Sequence, residues 1–169
     1  MESDSSILYV NKRTKPSVVF EAVKKHTSPE GASKVVIASH KGKAALKLAE
    51  AVGKQVQVVS VTEFTYDDDT KKEMKKLNVV PVEKASLPIQ DDRAMRETLM
   101  MFGSGVKAAM EVAAVAAGKK LVGGQFIAVA GEKEGFDTVL VLDTEHPQRE
   151  QISDPLKQMR VKRFIALPE

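Results

Sequence analysis

The sequence predicts an α/β protein, a three-layer sandwich whose mainly parallel sheet ends in an antiparallel hairpin. Two observations carry this. Short apolar, β-branched runs alternate with segments of helical period along the chain. Two late runs, Phe126–Ala130 and Thr138–Leu142, stand too close together for a crossover helix and must form a hairpin. In order, Ile7–Val10 is a brief first strand, and Pro16 suits the first turn of a helix whose Val18, Val19, Ala22 and Val23 share one face. Val35–Ala38 is a continuous apolar run, as a strand covered on both faces requires. Ala45, Leu48, Ala49 and Val52 follow at helical spacing, with Gly53 where a C-cap belongs. Val56–Val61 is the next strand. Asp67 to Leu77 is a surface helix anchored by Met74 and Leu77. Val79–Val82 is a short strand that Pro81 moves towards an edge. Met95, Thr98, Leu99 and Phe102 mark an amphipathic helix. Val106–Ala117 is apolar nearly all round, apart from Lys107 and Glu111, and reads as a buried helix. Lys162–Leu167 closes the chain as a strand.

At 169 residues with 43% hydrophobic content, the chain can bury one substantial core, so a single α/β domain over 1–169 is expected, with residues 1–6 disordered. No apolar run approaches the ~18 residues of a membrane span, and the polar start Met1–Ser6 has no apolar region of the signal-peptide kind. There is no cysteine, which excludes disulfide scaffolds, thiol nucleophiles and thiolate metal sites. A cytoplasmic protein without membrane contact is expected. The net charge of +3 is ordinary for this size. Asp67–Asp69 ahead of Lys71, Lys72, Lys75 and Lys76 fits a solvated helix with its dipole matched. No aromatic residues interleave with these lysines, so nucleic acid is not expected as a partner.

In open α/β sheets ligands bind beyond the carboxyl ends of the strands, which directs attention to three loops. Ser39-His-Lys-Gly-Lys-Ala44 joins the buried Val35–Ala38 strand to its helix. Ser39 offers a hydroxyl, Lys41 and Lys43 offer cations, Gly42 permits close backbone approach, and the helix start presents free N–H groups suited to phosphate. It is not a P-loop, and an ordinary turn with solvated lysines is the competing reading. Phe102-Gly-Ser-Gly-Val-Lys-Ala108 matches G-x-G-x-x-A, but a helix precedes it. A helix break at Gly103, with Ser104 capping the next helix, is the better reading. Gly131-Glu-Lys-Glu-Gly135 is a hairpin loop, either a plain turn or a flap over a ligand. His26, His40 and His146 lack metal-ligand spacing, and adjacent Ser39 and His40 make poor nucleophile and base. No catalytic constellation and no metal site emerge.

These segments resemble a small, largely archaeal family with the fold of the pyruvate kinase C-terminal domain, along almost the whole chain. The resemblance rests on Ile7-Leu-Tyr-Val-Asn-Lys12, on Val36-Ile-Ala-Ser39 with Gly42 and Ala45-Leu-Lys47, and on Phe102-Gly-x-Gly-Val-Lys107 with Val112. It continues through Ile127-Ala-Val-x-Gly131, Gly135-x-Asp-Thr138, Leu140-Val-Leu142 and His146. In pyruvate kinase this domain binds phosphorylated effectors through a Ser/Thr-Gly loop and a glycine-rich hairpin loop, and the stand-alone family is associated with FMN. The resemblance therefore implies a phosphorylated small molecule such as FMN, held by Ser39, His40, Lys41, Gly42, Lys43, Ala44, Thr62, Gly103, Ser104, Gly105, Gly131, Lys133 and Gly135. Phe64 or Tyr66 would stack on it. The chain departs from the family pattern at Ala44, where a hydroxyl residue is usual, and in shorter segments at Thr62–Tyr66 and between Val82 and Asp91. The catalytic barrel of pyruvate kinase is missing, so that activity is not expected. Two alternatives stand beside the binding role: a flavin-dependent enzyme using the same cleft, or a regulatory module that self-associates as a homo-oligomer.

Overall fold

The computed structural model describes residues 6–132, 135–146, 152 and 154–169. Residues 1–5, for which disorder is expected, and Lys133 lie outside the described residues. Among those described, seven strands form one mixed sheet: β1 (Leu8–Val10), β2 (Lys34–Ala38), β3 (Gln57–Val61), β4 (Val79–Val82), β5 (Gln125–Glu132), β6 (Gly135–Asp143) and β7 (Arg160–Pro168), in the order β1-β7-β6-β5-β2-β3-β4. Every pairing is parallel except those of β6 with β5 and β7. The predicted hairpin is thus present, and Pro81 sits on the edge strand β4, where its missing N–H costs no ladder bond.

Among the described residues, six helices flank the sheet: α1 (Pro16–His26), α2 (Lys43–Val52), α3 (Asp68–Lys76), α4 (Arg93–Met100), α5 (Ser104–Gly118) and α6 (Pro155–Gln158). Residue alternation along the strands divides the interior in two. Val35, Ile37, Val58 and Ile127 pack with α1, α2 and Met74 of α3. Val36, Val59, Phe126 and Ala128 pack under α5, with Leu156 of α6 alongside. Because β2 sends residues into both cores, its run is apolar at successive positions, not alternate ones.

Local signals explain most helix limits. Asp67 accepts from Thr70 N–H (2.7 Å) and caps α3, and hydrogen bonding first to the Thr70 side chain and then to its N–H holds its carboxyl below the usual range. Gly53 ends α2 at φ +86°, a left-handed conformation glycine adopts freely. Three details differ from the pattern read in the sequence. On α1 the buried residues are Val19, Phe20 and Val23, while Val18 is exposed, since the helix faces a sheet on one side only. The N-cap of α5 is Gly103, and Ser104 is already its first helical residue. α4 buries none of its residues fully and stops at Met100, which leaves Phe102 exposed.

Candidate functional site

β2, β3 and β4 succeed one another towards one edge, whereas β5 lies on the other side of β2. The strand order therefore reverses at β2, and the carboxyl ends of β2 and β5 flank the crevice where open α/β sheets take ligands. A cleft of about 110 Å³ opens there. Ser39, His40, Thr62 and Gly131 line it at the strand ends, with Leu87 and Val112 as apolar walls and Glu63 as a carboxylate.

The loop after β2 is held from beneath. Tyr66, buried, donates its hydroxyl proton to the Ser39 carbonyl (2.8 Å). That hydroxyl has a single proton, so the Ser60 hydroxyl, 2.7 Å away, must be the donor in its own bond to Tyr66. Thr62 Oγ1 donates to the His40 carbonyl (3.1 Å), and Ser39 Oγ accepts from Gly42 N–H (3.1 Å). In a trans peptide C=O and N–H point oppositely, and the chain has no cis bond among the described residues. Drawing the two carbonyls inward therefore turns the N–H groups of His40 and Lys41 outward, and neither reaches a backbone acceptor among the described residues. α2 begins directly afterwards with no side chain capping it. Its first N–H groups and dipole add to the same positive locus.

Gly42 is required for packing as much as for conformation. Its φ is +88°, and a Cβ there would stand 2.5 Å from Met74 Cε and 2.8 Å from Thr70 Cγ2. The close approach it allows is to α3. Lys41 and Lys43 are exposed and do not line the cleft, but they flank the α2 start. Ala44 is half-buried in the first turn.

The other expected site residues are dispersed. Gly103 packs on Pro168, and Gly105 lies against Asp137 and Thr138, so both serve contacts within the protein. Gly131 faces the cleft, while Gly135 opens on a separate hollow with Asn11, Lys12 and Glu169. Tyr66 is not free to stack, since burial and two hydrogen bonds commit it to the loop. Phe64 is 55% exposed, with its ring 5.6 Å from that of His40. The sequence reading missed Leu87 and Val112. The apolar run of α5 and the family resemblance had marked the second without placing it in the site, and nothing hinted at the first.

Burial pushes the Tyr66 hydroxyl up to about 12 from 10.0, outweighing the opposing hydrogen bond from Ser60. The folded state then keeps a proton that the unfolded chain gives up. Its contribution is whole below 10.0 and is lost as pH rises through about 12, a fall of about 3 kcal/mol. Tyr66→Phe is expected to remove that alkaline loss. It should also cost about 1–3 kcal/mol at neutral pH by stranding Ser60 and the Ser39 carbonyl. Denaturant titrations at neutral pH and between 10.0 and about 12 check both effects.

No helix among the described residues is long and apolar enough to cross a membrane, and no three His, Asp or Glu side chains among them gather as metal ligands. No family model and no curated protein matches the chain.

Proposed function

We propose that the protein is a binding domain for a phosphorylated small molecule, with the phosphate at the start of α2 and part of the ligand in the switch-point cleft. The observation that carries this reading is the inward anchoring of the Ser39 and His40 carbonyls by Tyr66 and Thr62, next to an uncapped helix. It leaves a rigid set of outward N–H donors, pre-ordered for an anion. Lys41 and Lys43 supply charge in place of the hydroxyl that the family carries at Ala44. The Ser–Gly loop after β2 and the glycine hairpin of β5 and β6 are also what supports a pyruvate kinase C-terminal-like fold as the finer architecture.

FMN is one candidate of this class. Ligand pockets usually span about 300–1,000 Å³, and this cleft is about 110 Å³. A flavin ring would therefore rest outside it, against the exposed His40–Phe64 pair, with only the phosphate end at the α2 start. Glu63 at the cleft argues in the same direction, by keeping the anion out of the interior.

Lys41→Glu combined with Lys43→Glu is expected to weaken FMN or inorganic phosphate binding by about tenfold or more. Stability should change by less than about 0.5 kcal/mol, because both side chains are exposed. Calorimetric titration of both proteins decides the matter, and unchanged affinity would overturn the assignment. An interaction module is the second reading, favoured by the consecutive exposed Met100, Met101 and Phe102. Light scattering with and without ligand separates the two.

A further inference from the structure

A hollow of about 300 Å³ lies where β5 and β7 begin and α1 ends. His26, Lys162 and Arg163 line it together with Ser28, Gly31 and Gln125, and among the described residues no carboxylate lines it. Glu30 lies on the adjoining turn but does not line the hollow.

The strand itself is bent to make this arrangement. Successive residues of a regular strand point to opposite faces, so Lys162 and Arg163 should be separated by the sheet. The pairing of β7 with β6 is irregular at this point: Val141 faces Arg163, Leu142 faces Val161, and Lys162 is passed over. A bulge of this kind re-aims side chains, and both cations come to line the same hollow. His26 donates from Nδ1 to the Ala22 carbonyl (2.9 Å), since a carbonyl only accepts, and this fixes the ring with Nε2 as its remaining polar atom.

The described residues do not neutralise this charge by ion pairing. Lys162, Arg163 and the neighbouring Lys24 and Lys25 of α1 form no ion pair among the described residues. The α1 carbonyl end accounts for Lys24 and Lys25, but not for Lys162 and Arg163, which are on a strand. Both side chains are exposed, so solvent screens much of their mutual repulsion, and an anion seated between them would relieve the rest.

We propose that this hollow binds the phosphate groups of a small, multiply charged ligand. Arg163 would grip phosphate oxygens with its planar fork, and Lys162 and the Ser28 hydroxyl would complete the contacts. Among the described residues no Phe or Tyr lines the hollow, and the one ring there, His26, is tied to the Ala22 carbonyl, so the phosphate and not a base or ring is what it recognises. This site is independent of the one at the start of α2.

Inorganic pyrophosphate is the probe, titrated into isotopically labelled protein while amide resonances are followed. The expected result is saturable binding that moves the amides of His26, Gly31, Gln125 and Lys162. Lys162→Thr with Arg163→Thr should weaken it by about tenfold or more. Shifts confined to Ser39–Lys43 would overturn this site and leave the other standing. No binding, or full affinity in the folded double variant, would overturn it as well. A short DNA duplex is the second probe. If the duplex binds here and pyrophosphate does not, the small-ligand assignment falls. Should the double variant fail to fold, the resonance map of the unaltered protein decides alone.

Discussion

Gly131→Ala is expected to cost about 3 kcal/mol or more and to deform the switch-point cleft. A Cβ at this position would fall on the Gly135 carbonyl oxygen, 2.6 Å from the Gly135 carbonyl carbon and 2.7 Å from Phe136 Cα. All three are backbone atoms of the facing strand, so no rotamer change can give way. The β5–β6 pairing already shifts register between Ala130 and Gly131, and the two strands can only part or slip further. Gly131 also lines the cleft, so ligand affinity should fall with stability. Gly118→Ala is the contrast: nothing lies within 4 Å of its added Cβ. That change, in the last turn of α5, should be neutral or stabilise by about 0.5–1 kcal/mol. Thermal melts of the two variants test the pair, and a Gly131→Ala protein as stable as the parent would refute the packing argument.

Glu111→Ala should lose about 3 kcal/mol. Glu111 is 1% exposed on α5, with Lys107 Nζ 2.9 Å from Oε1 and Ile89 N–H donating to Oε2 at 3.1 Å. Removing the carboxylate opens a cavity and leaves the buried Ile89 N–H without an acceptor. Lys107 is 19% exposed and can recover some hydration, which limits the cost on its side. Glu111→Gln keeps an acceptor for Ile89 and should lose less, about 1–2 kcal/mol. The consequence reaches the cleft, because Leu87, two residues before Ile89, forms one of its walls. Equal losses in the two variants, measured by denaturant unfolding, would show that the charge matters and that neither the cavity nor the Ile89 bond does.

Reading the sequence located elements better than partners. The period of Ala45, Leu48, Ala49 and Val52 identified the buried face of α2, and all four are buried. The same logic misjudged Val18 and Phe102, because a 3.6-residue period marks an apolar stripe without saying how far the neighbouring layer extends over it. The four-residue helix α6 went unread, being too short to display a period. Of the candidate site, the loop after β2 was visible as a turn with glycine and lysines. Tyr66 was misread because its amphipathic ring fits a stacking role as well as a buried anchor; only the positions of Ser60 and the Ser39 carbonyl distinguish them.

The sequence by itself determined the succession of strands and helices, the hairpin, and the loop that opens α2. Each of these depends on spacing and turn chemistry within about ten residues. The tertiary structure alone decided that β1 pairs with β7, bringing Leu8 beside Ala166. It also decided that Gly131 shares a cleft with Ser39, and that Lys162 and Arg163 turn to one side of their strand. Those are contacts between distant segments, set by the order in which strands join the sheet and by one residue skipped in a ladder, and no local pattern encodes either.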